Sequence, residues 1–359
     1  MSSSSRRPGM HPWFSLRLRW SLALVAVATG QAGLPPDPPA AGPLTRYEFV
    51  APHMGTLFKI VFFAPNETDA RSAAAAAFAR IAELNRIMSD YLPNSELMRL
   101  AQPPAGTAVA VSAELFDILQ RSQQLAEASG GAFDVTLGPV VRLWRESRRT
   151  RRLPTDAERV AALRASGHAK LRLNSVDRTV TLLSPAMKLD LGGIAKGFAA
   201  DEALAVLARR GLVHAMVAAS GDLALGDAPP GTPGWKVELA PFDHPSREPL
   251  IVIAANVGIS TSGDVEQFAE IGGVRYSHII DPTTGLGLTT RVAVTVIARH
   301  ATLSDSLATA CSVLAVGARE KIAGCLGNQA RAVVLRRDEC GIVQRETYGS
   351  NPPGLSTTL

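Results

Sequence analysis

Residues 190–201, DLGGIAKGFAAD, constrain the fold more than any other segment: a carboxylate closes an apolar strand, two glycines make a tight turn, and a lysine sits one turn into a helix. Glycine lets the backbone approach a ligand closely and take up positive φ, and the first N–H groups of a helix lack intrahelical partners. An anion such as phosphate fits there, with Lys196 adding a mobile positive charge. The segment is neither GxxxxGK[ST] nor GxGxxG, so it indicates neither a P-loop nor a dinucleotide fold. Taken alone it also reads as an ordinary strand-to-helix turn, with glycines for packing and lysine for solubility.

The amino terminus has the three zones of a secretory signal: Arg6, Arg7, Arg17 and Arg19, the apolar run Leu22 to Ala28, then small residues up to Ala32. We expect a signal over residues 1–32, with an uncleaved amphipathic anchor as the alternative, and a Pro-rich linker over 33–43. The apolar run falls short of the roughly 20 residues of a membrane span. Taking the four signal arginines from 37 Lys+Arg leaves 33 against 32 Asp+Glu, so the basic character resides mainly in the signal and implies no nucleic-acid partner. The surviving basic cluster, Arg142 to Arg152, reads as a solvated connector or as a dock for an acidic partner. Cys311 reads as a small core residue. Cys325 and Cys340 are a conceivable disulfide in an exported chain.

Between residues 44 and 348 the pattern is one of strands broken by a few long helices, which indicates an α+β fold with much antiparallel sheet; residues 349–359 form a tail. Thr56 to Phe63 alternates as a first strand. Helices are expected from Thr68 to Met88, from Ser112 to Ser129, over 155–167, after Lys196 to Gly211, and from Ser304 to Val316. Further strands are expected over 171–173, 179–183, 214–218, 235–239, 250–255 and 292–298, with a last one near Ala332 to Leu335.

Four further places carry chemistry. In YSHIIDPTTG, residues 276–285, Asp281 and Pro282 are turn residues. His278 precedes that turn, where a neutral imidazole can take a proton from a hydroxyl; a structural histidine is the alternative. In LSDSLATA, Asp305 and Thr309 are four apart on a helix and share a face, so a carboxylate and a hydroxyl can both ligate a hard cation such as Mg2+. The alternative makes Asp305 a residue favouring the helix start and Thr309 a packing residue. In GGAFDVTLGPVVRL, Phe133 and Asp134 can hold a heteroaromatic ring and its polar edge, or equally serve as a core Phe and a turn Asp. Met54, Gly55 and Thr56 open the first strand and pair with MSDYLPNSEL, which reads locally as a loop and a cap at Ser95.

As an ordered set, MGT, MSDYLPNSEL, GGAFDVTLGP, DLGGIAKGFAAD, TSGD (Thr261 to Asp264), HIIDPTTG and SDSLAT resemble the ApbE family, the FAD:protein FMN transferases, over about Tyr47 to Leu335. The resemblance implies an ApbE-like, T-fold-related α+β fold with a mixed, largely antiparallel sheet and packed long helices. It also implies an exported, periplasmic enzyme, with peripheral contact to the inner membrane left open. Such an enzyme splits FAD, attaches FMN by a phosphoester to Thr or Ser of an acceptor protein, and releases AMP. Matched motif to motif, FAD contacts fall on Met54, Tyr91, Ala132, Phe133, Asp134, Asp190, Lys196 and Ile279. Mg2+ falls on the Gly193 backbone oxygen, Asp305 and Thr309, and His278 lies nearest the phosphoryl chemistry. Two departures stand out: Ala219, Ser220, Gly221 and Asp222 replace a usual GGD turn, and Gly287 stands where proline is common. A φ > 0 position would resist Ser220. An Mg2+-dependent FAD pyrophosphatase and a non-catalytic FAD carrier are the competing readings; the complete set of ligand residues argues against the carrier.

Overall fold

The chain enters the fold through a hairpin of which only the second strand is among the expected ones. In the computed structural model, which describes residues 43–239, 250–263, 268–338 and 340–356, β1 (Thr45–His53) pairs along its whole length with β2 (Thr56–Ala64). The signal, the linker up to residue 42, Asp264 of the TSGD motif and the last three residues lie outside the described residues. Met54 and Gly55 are therefore the tip of a hairpin rather than the opening of a first strand, with φ of 49° and 73°. Both central positions of such a two-residue turn require positive φ. β1 alternates too, but as a solvated edge strand carrying Arg46 and Glu48 it has no fully buried side chain, and Tyr47, Phe49 and Ala51 on its inner face are only half-buried.

The next helices start where local caps put them. Asn66 caps α1 (Glu67–Met88), Ser95 caps α2 (Glu96–Leu100), and after β3 (Ala108–Ala110) Ser112 caps α3 (Ala113–Ala128). Each side-chain oxygen accepts an otherwise unpaired N–H. The stretch read as a connector is α4 (Gly138–Thr150), an ordered helix that buries Val140, Trp144 and Ser147. Thr155 and Glu158 form a capping box at α5 (Asp156–Ala165). β4 (Leu171–Asn174), β5 (Thr179–Leu182), α6 (Ala195–Ala208), β6 (Ala215–Ala219), β7 (Asp222–Leu225), β8 (Trp235–Leu239) and β9 (Leu250–Ala254) follow. Then come β10 (Val257–Gly263), β11 (Phe268–Ile271), β12 (Val274–Ser277), β13 (Ile280–Asp281), β14 (Leu286–Gly287) and β15 (Arg291–Ala298). α7 (Ala301–Gly317), α8 (Ile322–Leu326), β16 (Ala330–Arg337) and β17 (Val343–Gly349) complete the order, so one more strand follows the expected last one.

Among the described residues the main sheet runs β1-β2-β6-β7-β10-β15-β16-β17, every neighbour antiparallel, as the α+β pattern required. Alternation along β2 sends Phe58, Ile60 and Phe62 to one face, where they join a core with the alanine-rich sides of α1, α6 and α7. Val61 points to the other face and packs with Trp235, Val237 and Val252 of the β8–β9 hairpin. Small residues let the helices approach closely. A Cβ on Gly197 of α6 would lie 2.2 Å from the Ala301 carbonyl oxygen of α7. Part of the tail is docked: Ser356 N–H donates to the Ile253 oxygen of β9 at 3.0 Å.

α7 begins three residues before the expected Ser304 because its cap comes from another helix. The Asp201 carboxylate of α6 accepts the N–H groups of Ala301 and Thr302 at 2.9 and 2.8 Å and the Thr302 hydroxyl at 2.5 Å. The local N-cap position, His300, makes no side-chain cap bond. Replacing Asp201 by alanine is expected to lower stability by about 2 kcal/mol, the upper range for a lost cap. Urea denaturation measures it, and a loss below about 0.5 kcal/mol would show that α7 needs no cap from α6.

Cys325 and Cys340, whose pairing the sequence leaves open, are not joined. All three thiols are free, Cys340 is exposed, and Cys325 is buried. A hydrogen bond donated by the Cys311 thiol to the Cys325 sulfur, with burial, holds the Cys311 thiol well above the usual range.

Candidate active site

Asp190, Gly192, Gly193 and Lys196 form one wall of a cavity of about 1400 Å3. That volume exceeds the roughly 300–1,000 Å3 of a site for a drug-sized molecule. Met54, Tyr91, Ala132, Phe133, Asp134, His278, Ile279, Asp305 and Thr309 also line it, so every residue expected at a site from the sequence faces this one space.

The glycines work differently from the expectation. Neither Gly192 nor Gly193 has positive φ. They are small because the turn is crowded: a Cβ on Gly192 would lie 2.9 Å from Asp190 Oδ1, and one on Gly193 would lie 3.0 Å from Thr309 Oγ1 and 3.3 Å from Phe133 Cε2. No regular strand precedes the turn, only an isolated parallel bridge between Leu137 and Lys188. Asp190 Oδ1 accepts the Gly192 N–H at 2.8 Å, and α6 then starts at Ala195 with no side-chain cap.

Lys196 is not a mobile charge. Its Nζ lies 2.7 Å from Asp222 Oδ2 and 3.6 Å from Asp305 Oδ2, and these two carboxylates hold its pKa above the usual lysine range against the opposing effect of burial. Asp305 is only 2% exposed and also accepts the Gly197 N–H at 3.0 Å. Burial and the neighbouring Asp222 push its carboxyl up to about 7, while Lys196 and the Gly197 N–H pull the other way. It stands one turn inside α7, so it is not a helix-start residue.

Two buried carboxylates against one ammonium leave negative charge that a cation would neutralise. The Thr309 hydroxyl, beside Gly193, brings an oxygen donor to the same corner. Among the described residues no group of three His, Cys, Asp or Glu side chains forms a metal cluster. The donors here are few and all oxygen, the set suited to Mg2+, which keeps much of its shell as water and substrate phosphate.

Phe133 is buried in the core, and the Asp134 carboxylate is occupied within the chain. It accepts the N–H and hydroxyl of Thr136 at 2.8 and 2.7 Å and the His168 N–H at 2.9 Å. Asp281 is a turn residue, accepting the Thr283 N–H at 2.8 Å. His278 sits between β12 and β13, half-buried. The backbone on both sides is fixed: Ser277 N–H donates to the Leu288 oxygen at 2.7 Å, and Leu288 N–H donates to the Ile279 oxygen at 2.9 Å. Gly287 explains its own departure, because a Cβ there would lie 2.2 Å from the Ser277 oxygen, which excludes proline.

Ser220 occupies a position of the kind expected to resist it: it turns β6 into β7 with φ of 58°. Left-handed backbone disfavours a residue with a Cβ by roughly 1–2 kcal/mol. Ser220→Gly is therefore expected to raise stability by about 1 kcal/mol, read as a higher thermal midpoint; an unchanged or lower midpoint would refute it.

Sequence reasoning missed Arg145 and Asp90. Arg145 on α4 bonds Asp90 through Nη1 and Asp190 through Nη2, the latter at 2.7 Å, and its guanidinium lies 4.3 Å from the centroid of the Tyr91 ring. It ties the loop bearing Tyr91, which is 73% exposed, to the glycine turn. The helical spacing of Val140, Trp144 and Ser147 was the signal that these arginines belong to a packed helix.

The model of the ApbE family matches residues 54–333. The FAD:protein FMN transferase of Vibrio cholerae is 31% identical over 319 residues, covering 86% of this chain and 93% of that one. The FAD:protein FMN transferase of Treponema pallidum is 32% identical, covering 73% and 76%. The solved flavin transferase ApbE from Vibrio cholerae superposes with a TM-score of 0.77 at 30% identity, covering 86% of this chain and 98% of that one.

Proposed function

The chain belongs to the ApbE family, and we propose that it is an Mg2+-dependent FAD:protein FMN transferase that joins FMN through a phosphoester to a threonine or serine of an acceptor protein and releases AMP. The observation that carries this reading is the excess of buried carboxylate, Asp222 and Asp305 around Lys196, on the wall of a cavity large enough for a dinucleotide. Export, with the signal removed near Ala32, belongs to the same proposal.

Phosphoryl transfer asks the protein chiefly for positioning and neutralisation. The Gly193 oxygen, Asp305 and Thr309 would hold Mg2+, which when bound neutralises charge on the diphosphate. The Lys196 ammonium, oriented by Asp222, faces the same charge. The acceptor hydroxyl attacks the FMN phosphorus, His278 takes its proton, and the bond from that phosphorus to the bridging oxygen breaks, so that AMP leaves with that oxygen. Tyr91, held beneath Arg145, offers an exposed aromatic face suited to the flavin ring.

Incubating the mature protein with FAD, Mg2+ and a flavin-domain acceptor is expected to add one FMN to the acceptor by mass spectrometry. Release of free FMN and AMP with an unmodified acceptor would instead establish a pyrophosphatase.

A further inference from the structure

A groove of about 310 Å3 adjoins the flavin cavity and is lined by Arg145, Arg148, Arg149, Arg151, Phe268 and Ala269. Arg145 is held by Asp90 and Asp190, and Arg149 by Glu146. Among the described residues Arg148 and Arg151 have no carboxylate within ion-pair distance, and the transfer chemistry gives them no task. Arg145 and Arg148 line the large cavity as well, so the two spaces are neighbours that share these side chains. The far wall is the β11–β12 hairpin, in which Phe268 pairs with Ser277, the residue before His278. The Arg275 guanidinium lies over the Phe268 ring, 3.2 Å from its centroid.

We infer that this groove docks an acidic segment of the acceptor protein, with Arg148 and Arg151 binding its carboxylates and the segment leading the hydroxyl toward His278. The inference rests on the reading of the chain as a transferase acting on a protein. A concave cleft of one sign focuses its field on a partner of the opposite sign, and arginine forks suit carboxylates. Arg145 and Arg148 border both the groove and the flavin cavity, so an occupant of the groove lies next to that cavity, which favours a peptide over a lipid surface.

The test uses the mature protein loaded with FAD and a fluorescein-labelled peptide carrying one threonine flanked by aspartates, beside a control with asparagines in their place. Anisotropy is expected to show about tenfold tighter binding of the aspartate peptide, falling with salt, and loss of that preference in R148E/R151E. R151E alone is expected to reduce the preference while FAD affinity stays within about twofold, which separates the groove from folding. Equal affinity for both peptides, or a preference surviving in R148E/R151E, overturns the inference. Binding to phosphatidylcholine–phosphatidylglycerol vesicles that R148E/R151E abolishes, with no peptide preference, makes the surface a membrane contact and overturns it too. Failure of the transferase reading shows separately, as an acceptor that never gains FMN while the peptide preference persists.

Discussion

Asp305→Ala is expected to reduce FMN transfer by about a thousandfold or more, the scale on which catalysis depends on a metal or an electrostatic contact in the transition state. The carboxylate accepts the Gly197 N–H and faces Lys196, so its removal leaves one acid, Asp222, for one ammonium and no negative excess to attract a cation. The fold is expected to survive, since the neutralised pair remains. Thermal unfolding separates the two effects: Mg2+ added to the FAD-loaded protein raises the midpoint of the unmodified protein by mass action and adds nothing to that of FAD-loaded Asp305→Ala. Undiminished transfer by the variant, or an equal rise in its midpoint, would remove Asp305 from the site. Asp305→Asn, close in size, tests charge alone and is expected to match the alanine variant.

Gly197→Ala is expected to cost about 3 kcal/mol of stability, at the upper end for overpacking by a single carbon. The added Cβ would lie 2.2 Å from the Ala301 oxygen and 2.9 Å from Asp305 Cβ. Backbone cannot yield as a flexible side chain can, so α6 and α7 must separate. Lys196 and Asp305 would move apart with them, and transfer is expected to fall even in the fraction that stays folded. Urea denaturation and an FMN-transfer assay on the same preparation check both parts. A loss under about 0.5 kcal/mol would mean that the two helices tolerate a wider spacing.

The legible parts of the fold were those governed by neighbours in the chain. Ser112 and Thr155 cap their own helices, and Phe58, Ile60 and Phe62 alternate within one strand, so the sequence shows α3, α5 and β2 directly. β1 and α4 were hidden for opposite reasons. β1 is an edge strand that alternates but buries none of its side chains fully, and α4 carries so many arginines that its packed stripe of Val140, Trp144 and Ser147 reads as a solvated run. At the site, the motifs supplied every residue expected to line the cavity, but Arg145, the one that ties Asp190 to the Tyr91 loop, lay in the stretch taken for a connector.

By itself the sequence determined the inventory: an acid and a hydroxyl four apart on one helix, a lysine after two glycines, and a histidine ahead of a turn. Only the tertiary structure decided what each of them does. Gly193 and Gly197 are glycines because Thr309 and Ala301 come close, not because their backbone needs positive φ. Lys196 is neutralised by Asp222 and Asp305, and Asp201 caps α7 from another helix. The reason is physical: periodicity and capping act over a few residues, whereas these contacts join residues as far apart in the chain as Gly193 and Thr309, and their distances are set by how α6 and α7 pack.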